Sequence, residues 1–399
     1  MSYCHLATLV CISLTVAAAA SGQSLPVDPV TVGNGRLVLA GDANVAIAPE
    51  DPGFFNYGSY EHNTLRTVRF GIAAQVHASR RLSLLAEVRS ENFEHVTPFA
   101  LYARVRPFVS QRLDIQVGRI PPTFGRASRS SYQQQNPLIG HPLAYQYLTS
   151  LRPDAVPATA DELLGMRARG WLSDFSIGNP EPHAGVSLAA ASSWDTGVQV
   201  TTGWKALTVT GAITSGTLSD PHVRDNNDGR TVAARATVAA TPGLEIGASF
   251  SRGDFLSRGV TDALSLDDED GLVQQAYGLD VEFARGHWQV NAEAVASEWR
   301  IPLSGRVEPL RAVAAHVETK YAFLPGFYAA GRLEHLAFGL IQGSATRLEW
   351  DAPVTRLEVG VGYYLQRNAV ARVSWQVNER DGGRVRSARF VAAQFLFWL

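Results

Sequence analysis

The residues that could do chemistry in this 399-residue chain are arginines and carboxylates set two apart along alternating segments. One set of alternate positions holds Arg69, Arg89, Arg104, Arg106, Arg235, Lys320, Arg332, Arg356 and Arg372. It also holds Glu87, Asp114, Glu245, Asp280, Glu282, Glu293, Glu318, Glu334 and Glu358, nine of each sign. Guanidinium forks match carboxylates and phosphates. Lined up around a water path, such charges sort ions. Paired with one another, they cross-link and solvate a wall, and most of these residues fit that plainer role because exposed pairs are common and weak.

Other chemistries find little support. Cys4 and Cys11 both lie in the first 22 residues, where an apolar stretch from Leu6 to Ala20 is followed by Ser-Gly-Gln. That is the shape of a secretory signal peptide, so residues 1–22 are expected to be removed. The mature chain then lacks cysteine, which excludes a disulfide scaffold, a thiolate metal site and a Cys nucleophile. The ten histidines show no metal spacing. Asp225-Asn226-Asn227-Asp228-Gly229 has part of a calcium-loop pattern without its distal Glu, and reads better as a polar turn. Asp267-Asp268-Glu269-Asp270 reads as a solvated acidic loop. No Ser–His–acid set stands out, and no cofactor is implied. A net charge of -2 argues against a nucleic-acid partner. Charged residues make up 18% and apolar residues 46%, too apolar for a disordered chain.

The elements that must position the charges are strands. In Leu65–His77, Val68, Phe70, Ile72, Ala74 and Val76 fall on one face and Arg69, Gly71, Ala73, Gln75 and His77 on the other. The same alternation recurs at Leu82–Arg89, Leu244–Ser251 and Arg356–Leu365. Strands are predicted near 36–47, 64–78, 82–92, 97–108, 112–119, 194–203, 205–216, 230–240, 244–252, 273–284, 287–298, 310–323, 327–340, 353–365, 369–380 and 385–398, sixteen in all, with 184–191 able to add another. They exceed the usual ~5–6 residues of a globular strand. Short turns such as Ser79-Arg80, Ser110-Gln111, Thr241-Pro242-Gly243 and Leu324-Pro325-Gly326 alternate with long connections at 49–63, 120–193, 217–229, 253–272, 300–309 and 341–352. Long loops on one side and tight turns on the other mark an antiparallel transmembrane β-barrel of about 16 strands. The division expected is 1–22 signal, 23–35 short periplasmic segment, and 36–399 barrel.

Loop 120–193, the third on the external side, is too long for a plain connection. Thr159 can cap a helix over Ala160–Arg169. If the loop bends into the lumen, Arg126, Arg129, Arg152, Arg167 and Arg169, with Arg119 at its root, would form a positive constriction. That favours anions, against the opposing Asp154, Asp161, Glu162 and Asp174. The expected function is a porin-like passive channel for small hydrophilic solutes or ions in the outer membrane of a Gram-negative-type bacterium. The expected partners are outer-membrane lipid and lipopolysaccharide, the barrel-insertion machinery and the small solutes or anions themselves, with a homotrimer by analogy. The rivals are an outer-membrane enzyme of lipase or protease type and a plugged structural or adhesive barrel.

Three fragments carry a family resemblance. They are Val117-Gly118-Arg119-Ile120-Pro121-Pro122-Thr123-Phe124-Gly125, Asp195-Thr196-Gly197-Val198-Gln199, and Val232-Ala233-Ala234-Arg235 leading to Thr241-Pro242-Gly243-Leu244-Glu245-Ile246-Gly247-Ala248-Ser249-Phe250. They resemble the phosphate/polyphosphate-selective porins (porin O and P type), which implies a barrel channel. That family's phosphate-binding members use lysine-rich pores, whereas this chain has only Lys205 and Lys320, so no phosphate-binding residue is carried over. The chain also ends in Trp398-Leu399 rather than the Phe usual for such barrels.

Overall fold

The structure is a computed structural model describing residues 29–399 except 60–61, 109–111, 127–131, 192–193, 223–226, 228 and 266–270. The signal-peptide segment, Arg129, most of the Asp225–Gly229 motif and the acidic run 267–270 therefore lie outside the described residues. Sixteen long strands form the wall: β1 Leu37–Ile47, β2 Thr67–His77, β3 Leu82–Glu91, β4 Val96–Val105, β5 Leu113–Ile120, β6 Asp195–Trp204, β7 Leu207–Thr214, β8 Thr231–Thr241, β9 Leu244–Asp254, β10 Val273–Arg285, β11 Trp288–Leu303, β12 Arg306–Leu324, β13 Phe327–Phe338, β14 Val354–Gln366, β15 Ala369–Arg380 and β16 Ser387–Trp398. Each pairs antiparallel with its neighbours in sequence order, and β1 closes on β16 in a register from Asp42↔Trp398 to Ile47↔Ala393. Closure leaves no unpaired edge, which a wall bathed in lipid requires. Residues Val30–Val32 add a short exposed hairpin arm against the start of β1.

Alternation becomes two faces. In β2, Phe70, Ile72 and Val76 are exposed while Arg69, Gly71 and Ala73 are buried. In β14, Leu357, Val359 and Val361 point out while Arg356 and Glu358 are fully buried. The outward face is apolar, and near the tight-turn end it carries aromatics: Trp204, a Trp288–Tyr321 pair at 4.4 Å, and Phe327 stacked on Tyr363 at 4.1 Å. Such a girdle suits a membrane interface. The tight turns use left-handed backbone where the chain reverses, as at Gly243 (φ 83°), where a Cβ would strike the Ala284 carbonyl.

Three sequence readings change. The connection expected at 300–309 is strand: β11 has 16 residues and β12 has 19, and they meet at a two-residue turn, Ser304-Gly305, with both φ positive (52° and 74°). Pro302 and Pro309 look like breakers in sequence, but the hairpin extends past the wall of its neighbours and both prolines pair within it. Segment 184–191 adds no strand. The helix over Ala160–Arg169 is shorter than expected: α1 spans Ala160–Gly165, with the Thr159 hydroxyl accepting from the Glu162 amide.

The external third of the barrel holds an apolar core that alternation did not reveal. On the inner face of the long hairpin and β13, Val295, Trp299, Ile301, Leu310, Ala312 and Leu336 are essentially unexposed. They cluster with Leu151, Val156, Leu163 and Phe175 of loop 120–193, and with Phe255, Leu256 and Val260 of the 255–272 loop. The expectation of a polar, water-holding interior is therefore corrected for this end. External loops fold against the wall because both surfaces are apolar, and burial drives them together.

Candidate functional site: a loop-filled lumen

Loop 120–193 enters the barrel, and its backbone is held by the wall's carboxylates. The Arg126 amide donates to Glu293 Oε1 at 2.7 Å, the Gly140 amide to Glu358 Oε1 at 3.1 Å, and the Leu143 amide to Glu334 Oε2 at 2.6 Å. Tyr145 and Tyr132 donate their hydroxyls to Glu293 and Glu87. Wall cations take the loop's carbonyls: Arg332 the Gly140 oxygen (2.9 Å), Arg356 the His141 oxygen (3.2 Å), and Arg372 the Gln133 oxygen (3.0 Å). Charge-assisted bonds of this kind are the strong ones. They satisfy loop amides and carbonyls that would otherwise be orphaned inside the lumen.

Arg332 sits at the centre of the largest cluster, 1% exposed, against Glu318 (3.1 Å), Glu334 (3.1 Å) and Glu358 (2.9 Å). Arg356 also donates to Asn378 and to the Phe55 carbonyl of the first external loop. On the opposite wall, Arg235 forks onto Asp280 at 2.6 and 2.8 Å and bonds Ser249. Arg89 pairs with Glu87 at 2.7 Å and lies over the Phe99 ring. Arg69 pairs with Glu91, while Arg104 and Arg106 share Asp114. Arg126 meets Glu282 of the wall at 2.9 Å.

Three candidates for a positive ring are placed elsewhere. Arg119 shares the outward register of Val117, so it does not line the lumen; it donates to the Phe99 carbonyl. Arg152 is buried within the loop itself, on Asp154 and the Ser173 and Glu181 carbonyls. Arg167 reaches Glu349. Arg126, Arg152 and Arg167 are therefore paired rather than gathered into a free cationic ring. His141, fully buried in the loop, is held down to about 3 by burial, with Arg69 and Arg332 adding repulsion. Residues the sequence did not single out include Tyr132, His141 and Tyr145, whose partners lie far along the chain. Among the described residues no group of three or more His, Cys, Asp or Glu is placed to hold a metal.

Comparison with solved structures follows this geometry. OmpF of Salmonella typhi, in complex with daunomycin, superposes with a TM-score of 0.58 at 14% identity, covering 93% of this chain and 100% of that one. OmpT of Vibrio cholerae, an outer-membrane protein, gives 0.56 at 11%, covering 93% and 100%. The anion-selective porin of Comamonas acidovorans gives 0.55 at 8%, covering 91% and 99%. The fold is that of a bacterial porin. No family model and no curated protein matches the chain, so the porin O and P resemblance extends no further than its fragments, of which Val232–Phe250 is the β8–β9 hairpin.

Proposed function

We propose that the protein is a porin-like channel of the outer membrane, passing small hydrophilic solutes or ions by diffusion through a lumen that loop 120–193 constricts. The observation that carries this reading is the set of loop amides at Arg126, Gly140 and Leu143 held by Glu293, Glu358 and Glu334, well inside the ends of their strands. Charges left facing the lumen bias which ions pass. Lumen-facing side chains stay open to water at Arg106 and Glu282, 55% and 39% exposed, and at Glu91. No chemical step is assigned and no cofactor is required. A homotrimer in the outer membrane, with lipid and lipopolysaccharide around it, belongs to the same reading; one in-vitro folded form of the V. cholerae OmpT is described as a trimer.

A plugged barrel is the second reading, favoured by the apolar core across the external end and by Arg332, Arg356 and Arg372 at 3% exposure or less. Planar-bilayer recording separates the two. Ohmic steps support the channel, and silence from protein shown to be folded supports the plug.

A further inference from the structure

Several buried polar atoms of the lumen lack a partner among the described residues, Arg235 Nε, Asn291 Oδ1 and Glu293 Oε2 among them, and one group of them lies where loop 120–193 meets β15, β16 and β1. Arg372 is 3% exposed and has no carboxylate partner among the described residues. Its contacts are neutral: Nη1 donates to the Gln133 carbonyl at 3.0 Å and to Gln394 Oε1 at 3.1 Å, and the guanidinium also meets the Tyr328 hydroxyl. Its Nε–H is buried without an acceptor. Around it three further groups are orphaned: Gln394 Nε2, Ser374 Oγ, and both side-chain atoms of Asn44, which is 0% exposed. The bond from Arg372 fixes the Gln394 amide so that its NH₂ is the unpaired end. Asn44 presents an unpaired donor whichever way its amide is turned.

Arg372 lies directly opposite Gln394, and Asn44 lies diagonally across from Gln394 on β1, while Ser374 is one pleat along β15 on the side away from Asn44. Opposite and diagonal neighbours on one sheet face are about 5–8 Å apart. The Gln133–Gln135 turn roofs the cluster. A buried cation with orphaned donors beside it is costly unless something satisfies them. The group that answers every donor at once is an anion. Asp42, one pleat beyond Asn44 on the same face, is the nearest opposing charge on β1.

We propose that Arg372, Gln394 and Asn44 form a binding site for one small inorganic anion, an oxyanion or a halide, between the lumen wall and the loop. The guanidinium supplies the charge and its Nε–H one donor, and the two amides complete the cradle. This deepens the channel reading by naming an anion as a species the lumen binds. Binding is tested apart from conduction, by calorimetric titration of sodium phosphate, and separately of sodium chloride, into the refolded full-length protein in detergent and an acetate-free, chloride-free buffer. The proposal expects saturable binding of one of the two at one site per chain. It expects the dissociation constant to rise at least tenfold in Arg372→Gln and about threefold in Asn44→Leu, with Arg311→Gln, on the exposed external hairpin, unchanged. Should Arg372→Gln fail to refold, Asn44→Leu and Gln394→Met decide. Absence of saturable binding by folded wild type, or binding unaffected by these changes, overturns the site and leaves water as the satisfying group. Binding without conductance leaves the site standing and removes the channel.

Discussion

Replacing Arg332 with Gln tests how the loop is held. Arg332 is 1% exposed and touches Glu318, Glu334, Glu358 and the Gly140 carbonyl. Two of those carboxylates also hold the loop amides of Gly140 and Leu143. Arg332→Gln takes the shared guanidinium from three buried carboxylates, of which Glu334 and Glu358 still face Arg356, with one loop carbonyl bond lost. Breaking a buried ion pair by removing one partner costs about 3–5 kcal/mol. The lower figure already corresponds to roughly a hundredfold shift in an opening equilibrium, at about 1.4 kcal/mol per decade. Part of the cost falls on the wall, but the loop is the element free to leave. Hydrogen exchange resolved to the Gly140 and Leu143 amides therefore accelerates on the order of a hundredfold, while the amides of β11–β14 keep their protection. Exchange within about threefold of wild type, in a barrel shown to be intact, refutes the claim that this cluster anchors the loop.

Acidification loosens the same loop through His141. Its folded value is about 3 against an unfolded value near 6.5, so the stability it allows is present above pH 6.5 and is lost as pH falls toward 3, on the order of 3 kcal/mol by pH 4.5. Protease access to the loop at pH 4.5 exceeds that at pH 7, and His141→Gln removes the difference; equal access at both pH values in wild type contradicts this. Asp114→Asn releases Arg104 and Arg106 from their shared carboxylate and moves the reversal potential in a KCl gradient toward anions; a move toward cations sinks the assignment of both to the lumen. Trp299→Ala empties a fully buried site against Phe255 and Trp350, costs about 3–5 kcal/mol, and lowers the melting temperature of the external cap. An unchanged melt means the cap is not held by this core.

The wall was legible because period-two patterning is local. Val68 to Val76 against Arg69 to Gln75 assigns two faces without knowledge of any partner strand. It failed where a local rule met a nonlocal fact. Arg119 was grouped with the lumen by charge, although its parity with Val117 turns it outward. Pro302 and Pro309 read as breakers, yet the Ser304-Gly305 turn carries the hairpin through both. The contents of the lumen were beyond reach. The loop amides at 126, 140 and 143 meet carboxylates 167 to 218 positions away, and no period or motif encodes such a pairing. The arginines and carboxylates themselves could be read from the sequence. Their partners, and the apolar core above them, required the fold.

The most direct test of the account is single-channel recording of the refolded protein in planar bilayers under a KCl gradient, wild type beside Arg332→Gln. The account predicts small ohmic steps from wild type and larger steps when the loop anchor is cut. Silence from both, with folding demonstrated independently, would contradict it.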